Sequence, residues 1–368
     1  MASAAEQLAA NLQFDTFRKA TELHQRIWFT LLAMVIYRLG TYVPIPGINI
    51  EAFAQAFQGQ SKGILGMFNM FSGGAVQRMA VFSLNVMPYI SASIIVQLMG
   101  TVYPPWEKLK KEGGEAGRKT LNQYTRYLAV VLAVVQSASI AMGLQAQPGV
   151  VAGGIGPAFF VVSTVVALTG GTLFLMWLGE QITSRGIGNG SSMIIFAGIV
   201  AVLPRTVGTL LSMGSTGDIN PAMLIIIVGV LIATIVFIVF MERAQRRLLI
   251  QYPKRQVGNR IMGGESSFMP LKVNTAGVIP PIFASSLLLM PTSVLTFVGQ
   301  NPDKIPSWMS WLPMLSTQLT HGHPVFMILY AGMIIFFTFL YTSLVFNPEE
   351  TAENLRKYGG FLPGIRPR

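Results

Sequence analysis

Residues 84–100 read LNVMPYISASIIVQLMG. The stretch is apolar enough to cross a bilayer and too polar to face lipid on every side. Ile90, Ile94, Ile95 and Val96 suit a membrane span, whereas Asn85, Ser91, Ser93 and Gln97 need hydrogen-bonding neighbours that hydrocarbon does not offer. Pro88 removes one backbone donor and is expected to bend the helix. A second stretch has the same character: residues 274–291 read NTAGVIPPIFASSLLLMP, with Pro280, Pro281 and Pro291. The pair reads as the movable walls of a cavity, or as ordinary proline-kinked packing.

The rest of the chain supplies the setting. Of 368 residues, 52% are hydrophobic and 11% charged, where a soluble domain carries about 25% charged residues. A chain so poor in charge cannot coat itself for water. A helix of about 20 apolar residues crosses a bilayer, and eight candidate spans follow, with ends uncertain by several residues: 27–44, 77–101, 127–146, 157–178, 191–213, 222–241, 275–298 and 324–346. Upstream of them, residues 1–26 lack a continuous apolar core, so no cleavable signal peptide is read. Leu8, Leu12 and Phe17 among polar residues suggest an amphipathic surface helix, or else a frayed polar tail.

The net charge is +11, which in a soluble protein would suggest nucleic acid. Here the basic residues lie between the apolar runs. Twenty-one of the 26 Lys and Arg fall in alternate segments: before span one, in 103–126, at Arg185, in 242–274 and in 347–368. Arg38, Lys62, Arg78, Arg205 and Lys304 are the exceptions. Positive segments stay in the cytoplasm, so both termini of this chain are expected there.

Residues 63–72, GILGMFNMFS, are apolar but too short to span, and Gly73-Gly74 follow. They read as a re-entrant segment buried in protein or lining a cavity, or as an interfacial helix on the outer surface. The loops 242–274 and 347–368 are longer than connection needs and read as docking surfaces for a large partner. The alternative is orientation plus contact with anionic lipid.

No catalytic constellation is present. The chain has no phosphate loop, no HExxH and no GxSxG. It has no cysteine and three histidines, His24, His321 and His323, in no metal-binding pattern. No cofactor is expected and no enzyme is read. Acidic residues are almost missing from the spans, with Glu180 and Glu242 at their edges, which argues against ion-coupled transport. A small-solute transporter remains the second reading, and a non-conducting fragment that only binds partners the third.

Seven stretches, in order, carry a resemblance: PIPGINIEAF (44–53), MFNMFSGG (67–74), LNVMPYISASIIVQLMG (84–100), KKEGGEAGRK (110–119), MWLGEQITSRGIGNGSSMIIFAGIV (176–200), PLKVNTAGVIPPIFASS (270–286) and LVFNPEETAENLRKYGGFLPGIRP (344–367). Together they resemble the SecY/Sec61 protein translocon family, and its bacterial SecY branch most. The resemblance implies an all-α polytopic helix bundle, an inverted-repeat channel of two halves with five spans each. Residues 27–213 would be the first half, 222–346 a partial second half, and 347–368 the start of the next cytoplasmic loop. GIRP is followed only by Arg368, so the expectation is a SecY-like channel lacking the last two of ten spans.

By motif position, the resemblance implies a pore ring of Val86, Ile90, Ser191, Ile195 and Ile282, of which Ser191 departs from the aliphatic pattern. An apolar ring can close around a sliding chain and resists ions by dewetting when empty. Met67, Phe68, Asn69, Met70 and Phe71 would belong to the plug. Ser91, Gln136 and Asn274 would line a lateral gate, and Arg255 and Arg366 would dock partners. The implied partners are the small membrane subunits SecE and SecG, the SecA motor ATPase, the ribosome, signal-sequence-bearing clients and anionic lipid. The implied location is the bacterial cytoplasmic membrane. The implied function is that of the central pore subunit of a protein translocase, which conducts unfolded polypeptides across and releases membrane segments sideways.

Overall fold

The computed structural model describes residues 21–60, 69–111, 114–146, 149–154, 156–217, 220–251, 255–257, 260–262, 266–285, 287–288, 324–345, 348–357, 360 and 363. Ten named helices and four strands lie among them. In chain order these are α1 (Thr21–Gly40), α2 (Ile50–Gln60), α3 (Met87–Val102), α4 (Pro104–Lys111), α5 (Gly114–Ala146), α6 (Pro157–Arg185), α7 (Gly190–Ser215) and α8 (Pro221–Arg243). Strands β1 (Gln245–Gln251), β2 (Arg255–Val257), β3 (Arg260–Met262) and β4 (Ser266–Lys272) follow, then α9 (Pro324–Val345) and α10 (Pro348–Lys357). Among the described residues, α5 to α9 each hold a helix long and apolar enough to cross a membrane. Helix α8 has the purest apolar run and no buried residue, as expected of a helix whose solvent is lipid or a partner rather than its own chain.

The chain divides into two compact units. One comprises Met1–Thr206 with Ser286–Phe326, the other Val207–Ser285 with Met327–Arg368. In the first unit α3 packs on α5, α5 on α6 and α1 on α6, with α4 bridging α3 and α5. Its core is aliphatic and small: Leu168, Leu175, Ala129, Ala133 and Ala141 are buried. Small residues let membrane helices approach closely where no hydrophobic drive exists between them. An aromatic column of Tyr37, Phe82 and Phe174 joins α1, the segment before α3, and α6, with centroid separations of 6.3 and 5.8 Å. Arg126 of α5 and Glu180 of α6 pair at 2.8 Å on a partly exposed face, where such a bridge contributes at most about 1 kcal/mol.

Three expectations need correction. Span two does not run from 77 to 101 as a helix. Residues 72–79 and 81–86 form turns, Ala80 between them bridges to Pro44, and α3 starts only at Met87. Pro88 therefore opens the helix in its first turn rather than bending it, because the first helical N–H groups have no intrahelical partner and losing one there costs little. Pro280 and Pro281 likewise open the helical residues 279–285; Pro291 lies outside the described residues. Among the described residues, Pro204 lies inside a helix, α7.

Helix α1 covers most of span one and ends at Gly40, and α2 follows. Asn49 caps α2, its Oδ1 accepting from the N–H groups of Glu51 and Ala52 at 3.2 and 3.3 Å. Phe53 and Phe57 then bury one helical face.

In the second unit, the basic loop is a β-ribbon. Strands β1 and β4 pair antiparallel from Gln245↔Lys272 to Gln251↔Ser266, and β2 pairs with β3 between them. Pro270 is tolerated because a two-stranded ribbon has an open edge on each strand. Helix α10 places Arg356 and Lys357 in its last turn, which matches their charge to the C-terminal end of the helix dipole.

Candidate functional site: the turn segment before α3

The segment 69–86 is held by its own backbone and by side chains from both flanks. Asn69 Oδ1 accepts from the Gln77 N–H at 2.9 Å, and its carbonyl accepts from Gly74 N–H at 2.8 Å. Gly73 and Gly74 sit at φ +66° and +83°, a conformation L side chains avoid, so the glycine pair turns the chain sharply. Met70 is exposed and Phe71 half-buried. Met67 and Phe68 lie outside the described residues.

Helix α1 grips this turn. The Tyr37 hydroxyl donates to the Ser72 carbonyl at 3.2 Å. The Arg38 guanidinium donates to the Gly73 carbonyl at 2.6 Å and to the Tyr42 hydroxyl at 2.9 Å. Arg78 donates to the same Gly73 carbonyl at 3.1 Å and to the Thr41 carbonyl at 3.1 Å. Both guanidiniums lie over the Tyr42 ring, at 4.9 and 4.2 Å from its centroid. The two like charges are thereby held together by carbonyl dipoles and a π face.

Helix α7 is pressed against the same turn. A Cβ placed on Gly198 would overlap the Phe71 carbonyl oxygen and lie 3.0 Å from the Tyr37 hydroxyl. Only glycine lets the helix approach so near. Higher on α7, a Cβ on Gly190 would overlap the Gly179 carbonyl of α6, and the Thr183 hydroxyl accepts from Gly190 N–H at 2.8 Å.

The expected ring residues fall on these elements. Val86 is fully buried immediately before α3. Its N–H donates to Asn85 Oδ1 at 2.9 Å, and its carbonyl accepts from the Ile90 N–H at 3.1 Å. Ile90 is half-buried in the first turn of α3. Ser191 stands in the first turn of α7, its hydroxyl turned toward Gly179, so a small residue occupies the tight α6–α7 approach. Ile195 is buried one turn further along. Ile282 belongs to the second unit, half-buried, with its carbonyl accepting from the Ser285 hydroxyl at 2.8 Å.

Of the expected gate residues, Ser91 is half-buried on α3. Gln136 lies on α5, its Oε1 buried with no hydrogen-bond partner among the described residues. Asn274, in the second unit, uses its side chain within that unit: Nδ2 donates to Glu242 at 3.2 Å and Oδ1 accepts from Gly277 N–H at 3.0 Å. Of the docking residues, Arg255 lies on β2 opposite Met262. Arg366 lies outside the described residues.

Sequence reading missed Arg38, Arg78, Tyr37, Tyr42 and Gly198. A signal for two of them existed. Arg38 and Arg78 are among the five basic residues outside the alternate segments in which the others cluster, and a charge that this pattern does not explain needs another reason.

The model of the SecY family matches residues 80–368. The protein translocase subunit SecY of Rickettsia typhi is 49% identical over 355 residues, covering 95% of this chain and 79% of the relative. A solved SecY channel, described as one whose plug domain stabilises the closed state and maintains a membrane seal, superposes with a TM-score of 0.65 at 17% identity. That match covers 94% of this chain and 78% of the other. Sec61 in the canine ribosome–channel complex of the endoplasmic reticulum matches with a TM-score of 0.50 at 17% identity, over 76% of this chain and 60% of the other.

Proposed function

Since the chain belongs to the SecY family and is a multi-pass, protein-conducting channel subunit of a protein translocase, we propose that Val86, Ile90, Ser191, Ile195 and Ile282 line its constriction and that residues 67–74 plug it. The observation that carries this reading is the seating of residues 69–74 directly ahead of Val86. The turn is clamped by Tyr37, Arg38 and Arg78 and pressed on Gly198 of α7. A segment held by a few hydrogen bonds and one close backbone contact can be released without unfolding the helices around it. The relative whose plug is said to maintain a membrane seal supports the same reading.

In this proposal the first half comprises residues 27–213 and the second begins at 222. Ser91, Gln136 and Asn274 lie along the lateral opening through which apolar client segments leave. The buried Gln136 Oε1, without a hydrogen-bond partner among the described residues, is a group that a client backbone or side chain can satisfy. The β-ribbon 245–272 and the segment 347–368 form a basic cytoplasmic face that docks the SecA motor and the ribosome, with Arg255 and Arg366 as contacts. A ribosome complex is described for the Sec61 relative. SecE and SecG cover lipid-facing helices, and anionic lipid meets the basic segments. The membrane is the bacterial cytoplasmic membrane, with both termini of this chain on its inner side.

The test is reconstitution of the chain with SecE and SecG in proteoliposomes containing anionic lipid. Addition of SecA, ATP and a signal-bearing precursor should give protease-protected precursor. A precursor without its signal should not enter. Absence of signal-dependent import by a correctly inserted complex would refute the proposal.

A further inference from the structure

Asn85 has an unusual backbone and an unusual side chain, and the two serve one geometry. Its φ is +51°, in the left-handed region, which non-glycine residues seldom occupy and which asparagine tolerates better than most. It is 1% exposed. Its Nδ2 donates to the Phe71 carbonyl at 2.9 Å, and its Oδ1 accepts from the Val86 N–H at 2.9 Å. One carboxamide thus spans from the turn segment to the residue immediately before α3.

We infer that Asn85 is a positioning residue of the closed channel, tying the end of the plug to the first ring residue so that plug seating and ring geometry are set together. The inference rests on the plug and ring reading above and names the regulation of that site. The chemistry is specific. Glycine accepts the backbone conformation but ties nothing. Aspartate keeps an acceptor for Val86 N–H but offers the Phe71 carbonyl a second acceptor instead of a donor. The Phe71 carbonyl is also where Gly198 of α7 makes its closest approach, so the tie converges on the helix that carries Ser191 and Ile195. When residues 69–74 leave, the Asn85 amide loses its acceptor inside a buried site. An unsatisfied buried donor is costly, so the turn 84–86 must rearrange, and Val86, whose carbonyl opens α3, moves with it.

The experiment compares the parent chain with Asn85→Asp and Asn85→Gly, each reconstituted in proteoliposomes. Amide exchange across 69–90 is read in the resting state, alongside ion leak and thermal stability. Both variants should exchange at least tenfold faster in two places at once, 69–74 and 86–90, and both should leak ions. Asn85→Gly, free of backbone strain, should do so without a lowered melting temperature, which separates the tie from general destabilisation. Parental protection at either place in both variants overturns the proposal, as does loosening that spreads evenly through α5 and α6. The parent's own precursor import is the control. A parent that imports nothing removes the plug and ring reading and this proposal with it. A parent that imports while Asn85→Asp keeps parental exchange removes the tie alone.

Discussion

The Arg38 guanidinium donates to the backbone carbonyl of Gly73 across 2.6 Å, joining the end of α1 to a glycine whose left-handed backbone turns that carbonyl toward it. Arg78 reaches the same oxygen. Hydrogen bonds from charged groups contribute about 1.5–3 kcal/mol each. Arg38→Ala or Arg78→Ala should therefore raise the population of the released turn by roughly 10- to 150-fold. Amide exchange of residues 69–74 in the resting protein measures it. The double variant should exceed the summed effects, because each single removal relieves the same repulsion between two like charges and still leaves the Gly73 carbonyl one donor. Lysine at position 38 should restore little, since a point charge cannot hold Tyr42 and Gly73 together as the planar fork does.

Gly198→Ala forces a methyl group onto the Phe71 carbonyl. Overpacking of this kind costs about 1–3 kcal/mol, here relieved most easily by displacing residues 69–74. Faster exchange and a raised resting ion leak are expected, with little change in the α5–α6 packing. Tyr37→Phe, which removes only the bond to the Ser72 carbonyl, should cost about 1 kcal/mol and give the same phenotype more weakly.

Gln136 carries a buried oxygen with no partner among the described residues. Replacing it with leucine removes a desolvation cost of about 1–3 kcal/mol, so Gln136→Leu should raise the melting temperature. It should also slow the import of precursors with weak signals, because a more stable closed bundle opens less readily. A variant that is stabilised but imports weak-signal precursors at the parental rate would detach Gln136 from gating.

Orientation is open to a direct test because the chain has no cysteine. Single cysteines at Ser61, Gly214 and Ser316 should react with an impermeant maleimide from outside the cell. Those at Gly114, Gly258 and Gly359 should react only after the membrane is opened. Reversed labelling of any pair would overturn the charge-based topology.

Charge reversal at Arg255 or Arg366 should weaken association with SecA or ribosomes several-fold without altering the melting temperature. The remaining binding should fall with added salt, since exposed charges are screened beyond about 8–10 Å at physiological ionic strength. Unchanged binding of both partners by the double reversal would leave orientation as the only role of these basic segments.

Hydropathy and charge are sums over neighbouring residues, so the sequence alone determined what depends on such sums. The apolar runs of α5 to α9 were legible, as were the alternation of basic segments and the polar flecks of 84–100 that mark a helix for a bundle. Ordered motifs also revealed the family. The tertiary structure decided what depends on partners distant along the chain. Whether Pro88 bends a helix or begins one turns on Asn85 and the turns before it, and those turns stand because Tyr37 and Arg38 bond to Ser72 and Gly73, 35 residues away. The strands of 245–272 escaped notice because their pairing joins residues up to 27 apart, and the basic side chains that dominate the segment read as loop. Gly198 is one small residue among many in an apolar helix until the Phe71 carbonyl lies against it. Its necessity is a matter of distance between backbones, which no local pattern records.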